Sequence, residues 1–292
     1  MSDARAVALV IEPKPRDLGG FTVRRVLPQI VRRTVGPFVF FDHMGPVAFP
    51  AGGGIDVRPH PHIGLATVTY LFEGEIMHRD SLGSVQPIAP GDVNWMVAGS
   101  GIAHSERTRA ELRPTGPRLH GIQSWVALPR DAEETTASFI HHPKTSLPSR
   151  ELDGAKLRVI AGTAFGMTSP AAVHSPTLYV DADLQQGARL RIADDHDERA
   201  LYVATGRIEV DGQELSEGQM AILKADGSTT LQAKAPSRVM LLGGARLDGE
   251  RHVWWNFVSS SRERIERAKR DWREGKFGQV PGETEFIPLP EH

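Results

Sequence analysis

Cysteine is absent from the chain. That excludes disulfide staples, thiolate nucleophiles, iron–sulfur clusters and Cys-ligated zinc together, and it fits a reducing compartment. Long apolar runs are missing too. The nearest approach, Val35 to Phe49, is broken by Pro37, Asp42, His43 and Pro46, far short of the roughly 18 uninterrupted apolar residues of a membrane span. The opening stretch MSDARAVALVIEPKPRD has acidic flanks and no small-residue cleavage site, so no signal peptide is expected. Arg32-Arg33 runs into Pro37 and Asp42 instead of the apolar region that a twin-arginine signal needs. There is no basic excess either: 34 Lys+Arg against 36 Asp+Glu leave a net charge of −2, which argues against direct binding of nucleic acid. The expectation is a cytoplasmic protein without membrane or nucleic-acid partners.

What is present reads as β structure. The 29 glycines and 21 prolines are dispersed rather than gathered into a linker, and 292 residues suit two domains or one large β architecture. Thr67–Phe72, Val93–Val97, Leu157–Ile160 and Val239–Leu242 have strand length and β-branched or aromatic composition. Turn signals such as Pro90-Gly91-Asp92, Asp211-Gly212 and Asp226-Gly227 separate such runs. One segment, from about Ser261 to Arg273, reads as a helix, with Ser260 and Glu263 as a capping box. Glu263 with Arg267 and Glu266 with Arg270 make i,i+4 pairs there, so a solvated surface helix is expected. An internal repeat sets Tyr70–Ile76 beside Tyr202–Ile208 and Pro90–Val93 beside Glu217–Met220, suggesting two β-barrels in tandem.

Five of the twelve histidines, His43, His60, His62, His78 and His104, fall within one short region. Residues two apart on a strand share a face. His60-Pro61-His62 and His104-Ser105-Glu106 are two such pairs, and together they can bring three imidazoles and a carboxylate to one point. That set suits Fe, Mn, Co, Ni, Cu or Zn and is too rich in nitrogen for Ca or Mg. An isolated H-x-H is weak, since surface or hydrogen-bonded histidines give the same pattern, but a second pair after the Gly-rich turn Ala98–Ala103 strengthens it. Ala98 stands where a nucleophile elbow would need glycine, and there is no H-E-x-x-H helix and no P-loop. Trp95 and Met96 read as core, Gly52-Gly53-Gly54 as a flexible entry loop, and His141-His142 as a loop pair.

These motifs carry a resemblance. Arg58–Gly64, Thr67–Gly74, His78–Ser81, Pro90–Met96 and Gly99–Glu106, with Gly36–Phe38 and Phe41–Pro46 upstream, resemble the pirin family of bicupins over nearly the whole chain. The resemblance implies an all-β fold of two tandem cupin (double-stranded β-helix, jelly-roll) barrels with a short C-terminal helix. The expected division is residues 1–140 for a metal-binding N-terminal cupin and 141–292 for a C-terminal cupin without ligands. It further implies one divalent transition metal, iron(II), with Mn, Co, Ni, Cu or Zn as alternatives, on His60, His62, His104 and Glu106. Where many pirins place Glu four residues after the second His, this chain has Ala66, so a polar group beside the substrate is expected to be lost. Carried across the repeat, the ligand positions fall on Ile192, Asp194, Leu231 and Ala233, and His196 lacks partners.

For activity, the resemblance implies quercetin 2,3-dioxygenase chemistry. A small aromatic, flavonol-like substrate and O2 would meet at the metal, with Glu106 as ligand and base and carbon monoxide released in the family's scheme. It equally implies an alternative: an iron-dependent redox-sensing module that docks transcription factors or metabolic enzymes, which needs no basic surface.

Overall fold

A computed structural model describes residues 6–18 and 20–291; the first five residues of the N-terminal stretch lie outside them. The described residues fold into two compact units. One comprises the described parts of Asp17–Val23, Met44–Lys144 and Leu247–His292, and holds His60, His62 and His104. The other comprises the described parts of Met1–Arg16, Arg24–His43 and Thr145–Arg246. A single cut near residue 140 does not describe them. Residues 24–43 group with the later half of the chain, and the C-terminal helix groups with Met44–Lys144. The reason is packing at long sequence separation, since Phe257, Ile265, Ala268 and Trp272 share one apolar cluster with Ile63 and Ala103.

In the histidine-bearing unit, Asp56–His62, Ile102–Arg107, Ile76–Asp80 and Val85–Ile88 form an antiparallel sheet in that spatial order. A second sheet carries Ser138–His142, Val93–Val97, Leu65–Glu73 and Arg118–Ala127, again antiparallel and in that order. Leu65–Glu73 is built of β-branched and aromatic residues and is buried on both faces over most of its length, as a central strand must be. Trp95 and Met96 are buried core residues, as their composition suggests. His141 and His142 lie in a strand, not a loop, opposite Asn94 and Val93. Gly52-Gly53-Gly54 is a bonded turn rather than a loose loop: Gly52 N–H donates to Arg113 O, and Gly54, at φ +157°, sits against the Thr108 side chain.

The other unit repeats this arrangement. Arg189–Ile192, Thr229–Ala233, Arg207–Val210 and Gln213–Ser216 form a four-stranded sheet whose connectivity matches that of the histidine-bearing sheet. Its second sheet orders Val7–Ile11, Met220–Leu223, Glu198–Thr205, Ser237–Gly244, Thr177–Leu184, Ala155–Ala164 and Ser149–Leu152. Register corrects the repeat. His60 faces His104 and His62 faces Ile102, while Leu190 faces Leu231 and Ile192 faces Thr229. The counterparts of His60 and His62 are therefore Leu190 and Ile192, two residues earlier than the expected Ile192 and Asp194. Turn positions mark loop lengths, whereas hydrogen-bonded partners fix which side chains share a face. Leu190, Ile192, Leu231 and Ala233 all lie in the apolar core of this unit. His196 stands apart from them, with its Nε2 3.3 Å from the Thr163 carbonyl.

The helix, Arg262–Arg273, is capped one residue later than expected. Ser261 Oγ accepts the Arg264 N–H at 3.2 Å, while the Ser260 N–H and hydroxyl donate to Glu133. Nor is the helix merely solvated. Ile265, Ala268 and Trp272, at i, i+3 and i+7, form a buried stripe, with Glu266 paired to Lys269 and Arg267 to Glu134 on the outer side. No helix among the described residues is long and apolar enough to cross a membrane. Trp272→Ala should lower unfolding stability by about 3 kcal/mol and Ser261→Ala by about 1 kcal/mol, measured by urea denaturation; equal small losses would mean the helix is not anchored by its stripe.

Candidate metal centre

Alternation builds the site. His60 and His62 end one strand, His104 and Glu106 lie on its neighbour, and His78 and Asp80 lie on the next. His104 pairs across to His60 on one side and to Asp80 on the other, and Glu106 pairs to His78. The ladder shifts register between His104 and Glu106, a bulge that re-aims the side chain beyond it. The facing sheet turns Thr67, Thr69, Gln123 and Trp125 the same way: Trp125 stands edge-on to His62 at 5.2 Å, and Thr69 Oγ1 lies 3.3 Å from Glu106 Oε1.

His60, His62 and His104 are buried, and one nitrogen of each lies within 4.8 Å of the other two. His60 Nδ1 is 2.9 Å from the Arg58 carbonyl and His62 Nδ1 is 3.2 Å from the Asn256 carbonyl. A carbonyl oxygen only accepts, so both rings carry their proton on Nδ1 and turn a bare Nε2 inward. His62 Nε2 and His104 Nε2 are 3.1 Å apart. Burial pushes His60 down to about 4, against the bond to Arg58, and holds His62 and His104 well below the ordinary imidazole range. Converging neutral imidazoles in a buried pocket are a donor set that a borderline transition ion satisfies and a hard cation does not.

Glu106 does not join the group within 4.8 Å. Its half-buried carboxyl is raised above the ordinary range by burial, offset in part by His78, Thr69 and Gln123. The expectation for Ala66 does not survive the geometry. Ala66, between Val97 and Val126, keeps an unbroken register with Thr69, three residues on. Opposite parity puts Ala66 on the face away from Thr69 and Glu106, where it is fully buried. No polar group is missing beside the triad on its account. Sequence reading gave no role to Thr69, Gln123, Trp125, His78, Asp80 or Asn256. The alternation of Thr67-x-Thr69 was there to be read; Asn256 comes from far along the chain and carries no local signal.

An all-β chain of two cupin barrels, one with a buried imidazole triad, is what fold and site define. Comparison with known proteins agrees. The pirin family profile matches residues 20–126, and that of the pirin C-terminal cupin domain matches residues 179–278. A pirin-like protein of Caulobacter vibrioides is 52% identical over 98% of this chain and 100% of its own length. Mouse pirin is 30% identical, with 95% of this chain and 96% of its own length covered. The crystal structure of a quercetin 2,3-dioxygenase from Acinetobacter baumannii superposes with a TM-score of 0.88 at 35% identity, covering 97% of this chain and 96% of that one. The chain belongs to the pirin family.

The depressed His60 sets a pH test on metal-free protein. Above about pH 6.5 the ring is neutral folded and unfolded, so its contribution is constant. Between 6.5 and about 4 the unfolded chain takes up the proton and the folded chain does not. Stability should therefore fall through that window by up to about 3 kcal/mol, and fall no further on this account below it. Urea melts at several pH values with chelator present, beside His60→Gln, check this: the variant should show the shallower slope, and parallel slopes would refute the buried neutral ring.

Proposed function

We propose that this chain is a quercetin 2,3-dioxygenase that opens flavonols with O2 at one divalent transition metal, iron(II), with Mn, Co, Ni, Cu or Zn as alternatives. The observation that carries the reading is the inward convergence of three buried imidazole nitrogens within 4.8 Å. His60, His62 and His104 would hold the ion, with Glu106 as the fourth donor. Bound there, the ion supplies Lewis acidity toward a flavonol oxygen and one-electron chemistry toward O2.

The chain's own residues supply the rest. Glu106, with its proton affinity raised by burial, is suited to take the proton of a flavonol 3-hydroxyl within hydrogen-bond reach. Thr69 Oγ1 donates to Gln123 Oε1 at 2.8 Å, so the polar side facing Glu106 is fixed before substrate arrives. Trp125, T-shaped against His62, and Phe139, stacked on His78 at 4.2 Å, give the interior an aromatic lining. Support from relatives lies in the 35% identical Acinetobacter enzyme rather than in the fold, which hosts unrelated functions.

Elemental analysis should find one transition ion per chain, lost in His62→Ala and His104→Ala while the barrels stay folded. Two ions per chain would overturn the single site. Oxygen uptake with carbon monoxide release from quercetin should exceed background for iron- or manganese-loaded protein, and a 3-O-methylated flavonol should be inert. Glu106→Gln should lower turnover on the order of 10²-fold with little change in melting temperature. Equal rates in loaded and metal-free protein would remove the enzyme reading and leave a regulatory module.

A further inference from the structure

We infer that His78 and Asp80 form a positioning dyad that fixes which nitrogen of His104 carries the proton, so that the nitrogen turned toward the other two imidazoles is a lone pair. The inference rests on the reading of His60, His62 and His104 as metal ligands, and concerns residues outside that set.

The relay runs inward from a carboxylate. Asp80 is fully buried. Its Oδ1 accepts the backbone N–H groups of Leu82 at 2.9 Å and Ser84 at 3.1 Å, and its Oδ2 lies 2.9 Å from His78 Nε2. An ionised carboxylate only accepts, so His78 carries a proton on Nε2. In the singly protonated ring, Nδ1 is then a lone pair. It lies 3.3 Å from His104 Nδ1, and a hydrogen bond there requires the His104 proton on Nδ1. His104 Nε2 is left bare, 3.1 Å from the equally bare Nε2 of His62. Phe139, stacked on His78 with an interplanar angle of 7°, holds the intermediate ring in plane. His60 and His62 need no such device, because backbone carbonyls set their tautomers directly. His104 sits mid-sheet, where backbone carbonyls belong to the ladder, and a side-chain relay takes their place.

The other barrel supplies an independent observation. His78 and Asp80 pair across to Glu106 and His104; the matching positions, paired to Ala233 and Leu231, are Ile208 and Val210. Both are fully buried in that unit's apolar core. Dyad and triad are thus present together in one barrel and replaced together in the other. An Asp80 that served only to brace the turn at residues 81–84 would have no reason to follow the ligands.

Asp80→Asn separates positioning from bracing. The Asn carbonyl can keep the two N–H bonds of the turn, which aims its amide N–H at His78 Nε2. The His78 proton is then driven to Nδ1, against the proton of His104, and His104 is pushed to carry its own proton on Nε2. Nitrogen NMR of 15N-histidine-labelled, metal-free protein should show His104 protonated on Nδ1 in the native chain and on Nε2 in Asp80→Asn. Cobalt(II) titration should show at least a tenfold loss of affinity, with melting within a few degrees of the native chain. His78→Phe, which keeps a flat ring on Phe139 but no acceptor, should show a similar loss and carries the test if Asp80→Asn does not fold. Cobalt affinity within twofold of native in the folded variants, while His104→Ala loses it, would overturn the dyad alone. Native affinity in His104→Ala would overturn the metal-site reading beneath it.

Discussion

The structure of the histidine-bearing barrel turns on one electrostatic constraint: two imidazole nitrogens, Nε2 of His62 and Nε2 of His104, held 3.1 Å apart in a buried space. Lone pairs facing each other at that distance repel unless a proton or a cation stands between them, and the low dielectric of an interior sharpens the penalty. The surrounding polar atoms are arranged to maintain that confrontation. Arg58 and Asn256 offer only carbonyl oxygens to the outer nitrogens of His60 and His62. Their bonds hold protons on the far side of each ring, while burial discourages a second proton from arriving. Such a site could hold a metal ion.

Glu106 occupies a different position in the same design. It lies on the strand of His104, beyond a register shift, and its carboxyl leans on Thr69 rather than closing on the imidazoles. Its burial raises its proton affinity, as suits a group that accepts a proton. Both roles assigned to it from the resemblance draw on one property, a carboxylate kept loosely tied within the barrel.

How much of this was legible depends on the distance over which each feature is encoded. Period-two alternation in His60-x-His62 and His104-x-Glu106 is local, and it brings the imidazoles to one face as read. Parity was available for Ala66 as well. Counting four residues from His62 without asking which face results led to an expectation that the unbroken pairing with Val97 and Val126 overturns. The helix boundary shifted by one residue because three successive serines, 259–261, can each cap, and only contact with Glu133 decides between them. The grouping of residues 247–292 with Met44–Lys144 rests on apolar packing between segments far apart in the chain, and no local pattern announces it.

The two barrels together make a natural control. Six positions in matching register are His60, His62, His104, Glu106, His78 and Asp80 in one, and Leu190, Ile192, Leu231, Ala233, Ile208 and Val210 in the other. Each of the aliphatic six is at most 1% exposed. Burying a Leu, Ile or Val contributes roughly 1.5–3 kcal/mol, whereas burying an imidazole or carboxyl costs free energy unless every polar atom finds a partner. The same sheet can therefore be filled with aliphatic side chains, and in one unit it is. A chain that builds this sheet twice and keeps the less stable filling in one copy has retained it for something that stability does not explain. Because all six polar positions are exchanged as a set, what one barrel retains is a connected group of hydrogen-bonding side chains, and a single histidine drawn from it would recover few of those contacts.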